Sequence, residues 1–281
     1  MKPLPFPSPA RADLTGCCDV MAYGTVQAQR EGLAMLRKTP LSLAGKTMPG
    51  AFLKHADEQT IVALAAIGQA IGRFGLQETV FTDWGVLAAP RFQGRLMMIA
   101  ALEKYVTEGA WGISPHLIPH RSLHATSGTV SQVLGIHGPN FGIGGGPSSA
   151  SEAMLAATAM LARERVPGIW LVLTGWDPEP VPDDSTPEGL IPQCSAVALA
   201  LTLPRSDWSG LRLRVVPGTL ERDRPVGSAP ECSLLRLESL LAVLRDGARP
   251  TQTVWRLEDG GWMSLGQSVA ASLPQGFRRA G

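Results

Sequence analysis

The chain lacks a charge excess of either sign, because 25 Lys and Arg residues against 24 Asp and Glu residues leave a formal net charge of +1. Nucleic-acid binding needs a clustered basic footprint, which this balance does not supply. No apolar run reaches the ~18 residues of a membrane span, and no basic-then-apolar signal peptide opens the chain. We therefore expect a cytoplasmic protein that neither binds nucleic acid nor spans a membrane.

Cysteine and histidine are also scarce. The four cysteines have neither a zinc-binding spacing nor the pattern of a secreted disulfide framework, and we expect Cys17 and Cys18 to be buried thiols. The five histidines are His55, His116, His120, His124 and His137, so none follows position 137. Three of them recur every four residues, but Pro115 and Pro119 interrupt the first helical turn of that stretch. We expect no metal site and no cofactor.

What the sequence does contain is an alternation of strands and helices. The apolar runs 168–174 and 195–203 predict strands that are buried on both faces of a sheet, and 57–74 and 148–165 have helical patterns. Further helices are predicted at 27–38, 94–107, a segment ending at 134, and 233–245, and further strands at 13–26, 78–88, 140–144, 211–216 and in a hairpin over 253–265. This order predicts a layered α/β domain.

The most informative stretch, residues 114–153, runs from a Ser-Pro pair through a Gly-Pro-Asn turn into a glycine run and a helix. It resembles the nucleophile region of a β-ketoacyl-acyl-carrier-protein synthase, a thiolase-fold enzyme. In that family the segment leads to a cysteine at a helix N-terminus. When we count without a gap from Gly138, the cysteine position falls on Pro147, which has neither a nucleophile nor a backbone N–H.

Two shorter segments carry the same resemblance. Residues 13–26 (DLTGCCDVMAYGTV) match the opening strand and turn of the family, and 188–201 (EGLIPQCSAVALAL) match a later strand. The resemblance covers about residues 13–203. It implies a thiolase-like layered αβαβα fold whose N-terminal half, residues 13–204, is well matched. Residues 205–270 would be a shortened C-terminal part packed on the same domain, after a Pro-rich arm at 1–12 and before a tail at 271–281.

The chemistry that the resemblance would bring is missing. Condensing enzymes of this family also need two histidines that lie C-terminal to the cysteine, and here no histidine follows position 137. The Pro/Asp loop after Thr174 is shorter than the lid-bearing insertion of the family. Because the cysteine, the histidines and the lid are all absent or reduced, we expect a scaffold without a catalytic residue, which is not an enzyme on its own.

Other chemistry at this turn is considered as an alternative. Ser148 follows Pro147 at a helix start, but a serine nucleophile needs an adjacent base, and a helix-capping role is the simpler interpretation. The glycine run 142–147 lacks the Gly-Lys-Ser/Thr ending of a phosphate loop, so we expect it to serve close backbone packing. An acyltransferase or hydrolase that uses Ser148 or a cysteine stays an alternative hypothesis.

The resemblance implies a role as a partner. A catalytically inactive copy of this fold resembles the chain-length factor of type II polyketide systems, which completes the acyl tunnel of an active ketosynthase in a heterodimer or heterotetramer. Acyl carrier protein would be met through that partner. The short chain further resembles truncated proteins of aryl-polyene clusters, within fatty-acid and polyketide biosynthesis. The other alternative is a homodimer that binds acyl groups or carrier protein.

In the family, the strand before the nucleophile pairs across a two-fold axis, and residues of the Ser-Pro segment line the tunnel of the partner. The corresponding tunnel and interface residues here are His116, Leu117, Arg121, Ser122, Asn140, Phe141, Gly142, Ile143 and Gly144.

Overall fold

A computed structural model describes residues 16–49, 51–115, 117–163, 166–181, 189–218, 232–245 and 252–268. The predicted arm at 1–12, the predicted tail at 271–281 and His116 lie outside these described residues. Within the described ranges, no helix is long and apolar enough to cross a membrane.

A single mixed sheet of eight strands organises the described residues, in the order β5-β4-β6-β7-β1-β8-β10-β9. The strands are β1 (Gly16–Ala28), β4 (Gly85–Pro90), β5 (Asn140–Gly142), β6 (Ile169–Asp177), β7 (Gln193–Thr202), β8 (Leu211–Val216), β9 (Thr253–Arg256) and β10 (Trp262–Gln267). A separate two-stranded sheet contains β2 (Ser42–Leu43) and β3 (Lys46–Thr47). β4 is parallel to β5 and β6, and all other neighbours in the large sheet are antiparallel.

Within the described ranges, seven helices accompany the sheet. They are α1 (Arg30–Lys38), α2 (Glu58–Phe74), α3 (Arg95–Glu108), α4 (Leu117–Arg121), α5 (His124–Leu134), α6 (Ser149–Arg163) and α7 (Leu237–Arg245). A 3₁₀ turn, Gly109–Gly112, follows α3. α2 begins at Asp57, whose side chain accepts the Gln59 N–H at 2.9 Å, and it ends at Gly75 in the left-handed conformation.

The core consists of two hydrophobic layers, one on each face of the sheet. α2 and α5 cover one face and contact Trp170 and Val172 of β6, whereas α6 and α7 cover the other face and contact Leu171 and Leu173. Because successive side chains of a strand point to opposite faces, a strand between two helical layers must be apolar throughout. This explains the continuous apolar runs and confirms the layered α/β fold class.

Among the described residues, the C-terminal part does not form a second layered half with its own sheet. Strands β8, β10 and β9 extend the first sheet beyond β1, and among the described residues they form no sheet of their own. The register places Cys18 of β1 opposite Leu213 of β8, whose other neighbour is Leu265 of β10. Their buried side chains continue the layer under α6 and α7. The described C-terminal strands thus extend a single sheet.

Several predicted boundaries are wrong for identifiable reasons. Residues 78–84 form turns rather than a strand, with Phe81 and Trp84 buried in edge-to-face contact at 5.1 Å. β1 continues to Ala28, so the predicted helix at 27–38 starts only at Arg30. Residues 233–235 are not helical because their backbone pairs with Arg256 of β9. The hairpin around Asp259 is confirmed, with Gly260 at φ 84°.

Candidate subunit interface and the glycine turn after β5

The glycine run after β5 is a tight backbone junction. A Cβ on Gly142 would lie 2.0 Å from the Leu123 carbonyl oxygen, so only glycine fits between β5 and the start of α5. Gly144 and Gly145 have φ values of 76° and 95°, which turn the chain from β5 towards α6. The Gly145 carbonyl accepts the Phe92 N–H at 3.0 Å. These contacts support the packing interpretation of this run over a phosphate loop.

Pro147 and Ser148 lie where the turn meets α6. Pro147 is exposed, and Ser148 is half-buried with its carbonyl accepting the Glu152 N–H at 3.1 Å, which is the first helical hydrogen bond. Within the described ranges, no hydrogen bond joins Ser148 to a histidine: the Nδ1 of His124 contacts Ser127 Oγ at 3.2 Å instead. The structure therefore places Ser148 at the start of a helix, with no histidine bonded to it among the described residues.

Two of the four cysteines are poorly suited to act as nucleophiles. Cys18 and Cys194 are buried, and Cys17 is half-buried, which corrects the expectation that both Cys17 and Cys18 are fully enclosed. Burial raises the pKa of Cys18 to about 12 and that of Cys194 well above its usual value. A thiol must ionise to attack an acyl group, so these two side chains are inert at neutral pH.

β5 forms one edge of the large sheet. It pairs with β4, with Phe141 opposite Leu87, and the Ile143 N–H donates to the Ala88 carbonyl at 2.9 Å. In a parallel ladder, alternate residues bond to the same neighbour, so the backbone groups of Asn140 and Gly142 point away from β4. The Phe141 side chain is 50% exposed, and the Asn140 Oδ1 atom is buried with no partner in the described part of the chain.

Residues 114–123, which begin with Ser114-Pro115 and which we call the Ser-Pro segment, end beside the β5 edge. Gly142 contacts the Leu123 carbonyl, and a Cβ on Gly145 would lie 2.9 Å from Leu123 Cδ2. Ser122 and Leu123 are exposed beside the glycine run, whereas Leu117 is half-buried in α4. Of the predicted interface set, the structure thus brings Ser122 close to β5 through its neighbour Leu123, which the sequence argument did not identify.

Arg121 has a different environment from the one expected of a tunnel residue. Its guanidinium donates to Asp57 Oδ2 at 2.9 Å, and both side chains are largely buried. Burial raises the pKa of the Asp57 carboxyl, although Arg121 and the Gln59 N–H favour its charged form. Arg121 therefore attaches the Ser-Pro segment to the start of α2. These residues are 64 positions apart, so no local pattern could have revealed the pair.

An open cleft lies at the carboxyl ends of β4 and β6. Its lining includes Asp57, Glu58, Gln59, Phe92, Arg95, Trp176 and Glu179. Burial raises the pKa of Glu179 to about 7, and Arg91 and Arg95 oppose that shift. The sequence alone indicates only a Pro/Asp loop after Thr174 in this region.

Of the three histidines with four-residue spacing, the structure describes His120 and His124. His120 lies in α4 with its ring centroid 5.9 Å from that of His55, and His124 begins α5. Among the described residues, no group of three or more potential ligands could hold a metal ion.

Comparisons with known proteins identify the fold. No family model matches the sequence, and no curated protein matches it. A chain of the ketosynthase ApeO in complex with its chain length factor ApeC, from Xenorhabdus doucetiae, superimposes with a TM-score of 0.54 at 15% identity, over 89% of this chain and 98% of that chain.

Two further complexes give similar values. A chain of the ishigamide ketosynthase/chain length factor has a TM-score of 0.57 at 14% identity, over 90% of this chain and 99% of that chain. A chain of AntDE:AntF, a type II polyketide synthase acyl-carrier protein in complex with its ketosynthase bound to the hexaketide, has a TM-score of 0.56 at 12% identity, over 90% and 99%. At such identities the likeness is one of fold, and the protein has a thiolase-like, ketosynthase-type fold.

Proposed function

We propose that this protein is a ketosynthase-like subunit without acyl-transfer chemistry of its own, which pairs with an active ketosynthase as a chain-length factor. The observation that carries the proposal is the combination of a proline at the nucleophile position with an open strand edge, β5, directly before it. A fold that has lost its nucleophile but keeps its pairing edge is suited to a structural role in a partner's site. An unpaired edge of this kind is otherwise an aggregation liability.

Pairing would run along the outer side of β5. The outward backbone groups of Asn140 and Gly142 are free of β4 by the alternation of a parallel ladder. Phe141 would contribute apolar contact area, since its side chain is half exposed. A second strand across a two-fold axis would then continue the sheet into the ketosynthase, in a heterodimer or a heterotetramer of two such pairs.

The Ser-Pro segment would shape the acyl tunnel of the partner. Leu117 and Ser122 are our candidates for tunnel contact among the described residues, together with His116, which lies outside them. Arg121 would position this segment rather than line the tunnel, because its guanidinium is already bonded to Asp57. The process served would be fatty-acid or polyketide biosynthesis, in particular of the aryl-polyene type, and acyl carrier protein would bind through the ketosynthase.

The first test is co-purification of the native chain with a cysteine-bearing ketosynthase of the same host, with the mass measured by light scattering. The edge variant Asn140→Pro removes one outward N–H and keeps the bonds to β4, whereas Asn140→Ala removes only the side chain. We expect Asn140→Ala to keep most of the complex and Asn140→Pro to abolish it. A wild-type chain that stays a monomer or homodimer in the presence of that ketosynthase would overturn the proposal.

The tunnel role has its own test. Leu117→Ala would enlarge the tunnel and lengthen the acyl products of the reconstituted complex. The product distribution is read by mass spectrometry, with Leu203→Ala, an exposed leucine after β7, as the matched control. An unchanged distribution in an intact complex would remove Leu117 from the tunnel.

A further inference from the structure

Helix α3 is the most exposed apolar element of the described structure. None of its 14 residues is buried, although most of them are apolar. The five residues Met98, Ile99, Leu102, Tyr105 and Val106 share one side of the helix, and we call them the α3 face. Their exposed fractions run from 37% at Ile99 to 84% at Val106.

This exposure is unusual for a helix of this composition. The spacing 98, 102, 105 and 106 is that of an apolar stripe, which in a surface helix normally faces the core. Here the stripe faces solvent, and Met97 and Trp111 nearby are 46% and 100% exposed. These side chains present an area on the order of several hundred Å², comparable with the ~800 Å² that each partner buries in a stable interface.

α3 begins close to the segments that flank the proposed β5 interface. The residues that lead into α3 contact the glycine run that follows β5, because the Phe92 N–H donates to the Gly145 carbonyl at 3.0 Å. Gly94, the residue before α3, is so close to Arg121 that a Cβ there would lie 2.8 Å from Arg121 Cβ. The start of α3 therefore lies between that glycine run and α4, which contains Arg121.

The charges of α3 distinguish between possible occupants. Arg95, Glu103, Lys104 and Glu108 balance one another, and the guanidinium of Arg95 lies over the Phe92 ring at 5.1 Å. An anionic membrane or an acidic carrier protein would call for a Lys/Arg-rich polar side, which α3 does not have. A neutral, apolar protein surface fits this helix better.

We infer that the α3 face docks onto the ketosynthase subunit, beside the β5 pairing, and forms a second and mainly apolar part of the same interface. This inference rests on the proposed function and adds a surface to it that the strand edge does not contain. The apolar side chains would be buried only in the complex. The backbone pairing would give register, and α3 would contribute most of the apolar area.

The test uses the full chain with two added charges on the face, Leu102→Glu together with Val106→Glu. Glutamate is a good helix former and neither side chain is buried, so the isolated chain should keep its circular dichroism and melting temperature. We expect the affinity for the ketosynthase, measured by isothermal calorimetry, to fall at least ~30-fold. The charge-matched control is Met35→Glu together with Val80→Glu, at sites 72% and 76% exposed, and should bind as the wild type does.

The other possible outcomes each contradict either the α3 inference or the proposed function. If the wild type binds and the α3 variant binds equally well, the α3 inference fails and the proposed function stands. If the wild type does not bind the ketosynthase, the proposed function fails. In that case, conversion of a self-dimer to a monomer by the α3 variant would assign the face to a second copy of this chain, and loss of co-flotation with phosphatidylserine-containing vesicles would assign it to a membrane.

Discussion

The two edges of the eight-stranded sheet differ in how far their outward backbone groups are already paired within the chain. At one edge, β9 is covered by its own chain: the Leu235 N–H donates to the Arg256 carbonyl at 2.8 Å, and the Arg256 N–H donates to the Ser233 carbonyl at 2.9 Å. Trp255 in the middle of β9 is buried beneath α6 and α7. The outward backbone groups of Arg256, at the end of this edge strand, therefore already have partners.

At the other edge, β5 has only three residues and no described strand on its outer side. Phe141 is half exposed, and α3 buries none of its side chains. Among the described residues, β5 is therefore the more open of the two edges, and a sheet extends by pairing along an open edge. The comparison supports the proposed subunit interface at β5.

The largest expected effect is a difference in stability loss between a substitution at the β9 edge and one at the β5 edge. Trp255→Ala removes a buried aromatic side chain and should lower the free energy of unfolding by about 3–5 kcal/mol, whereas Phe141→Ala should cost less than ~1 kcal/mol in the isolated chain. Urea denaturation measures both. Binding to the ketosynthase should show the reverse order, with Phe141→Ala the more damaging of the two. Equal stability losses would mean that β5 is as well supported as β9.

A second comparison uses the buried carboxylates, because each side of the sheet has an Asp–Arg pair. Near β5, Asp57 pairs with Arg121 at 2.9 Å, and near β8, Asp19 pairs with Arg212 at 2.8 Å. Asp19 also accepts the Arg205 N–H at 2.7 Å, and Arg212 is the more exposed arginine. Arg121→Ala should therefore destabilise by about 3 kcal/mol and Arg212→Ala by about 1 kcal/mol.

Thermal unfolding of these two variants checks the order. Arg121→Ala should in addition weaken the ketosynthase complex, since the Ser-Pro segment loses its attachment to α2. Arg212→Ala should leave that complex intact. If Arg212→Ala were the more disruptive of the two, Arg121 would not be the residue that fixes the segment.

Much of the fold could be predicted from local pattern. The runs that became β6 and β7 are apolar on both faces, and α2 has both an N-cap at Asp57 and a left-handed stop at Gly75, so their positions were nearly right. The C-terminal arrangement could not be predicted in this way. Whether β8 joins β1 depends on pairing between residues about 200 positions apart, such as Cys18 and Leu213, and periodicity carries no such information.

The same distinction between local pattern and long-range contact applies to the candidate site. The proline that follows the glycine run, and the strand before that run, can be identified from the sequence. The Arg121–Asp57 pair and the cleft beside Glu179 are not, because each joins segments that are distant in the chain. Met97 and Met98 are exposed although they lie in a helix rich in apolar residues. On our inference, the surface that such a helix packs against belongs to another subunit, and no pattern within this chain could show it.

The β5 side of the molecule should also be the pH-sensitive side. Burial raises the pKa of Glu179 to about 7 from an ordinary value of 4.5, so the folded state holds its proton more tightly than the unfolded state does. Its stabilising contribution is complete below about pH 4.5 and is lost as the pH rises towards 7. Glu179→Gln should flatten that decline of the unfolding midpoint. An identical slope in the variant would assign the dependence to Asp57, whose pKa is raised as well.

The smallest expected effect is a change in the free energy of unfolding at a position that belongs to neither edge. Gly72 lies in α2, and a Cβ there would meet nothing within 4 Å, so Gly72→Ala should raise the free energy of unfolding by about 0.5–1 kcal/mol through helix propensity. Gly68→Ala in the same helix should gain less, because its Cβ would lie 3.0 Å from Leu43 Cδ2. Neither change should alter ketosynthase binding. If both did, affinity would follow global stability, and the separation between a covered edge and an open one would lose its support.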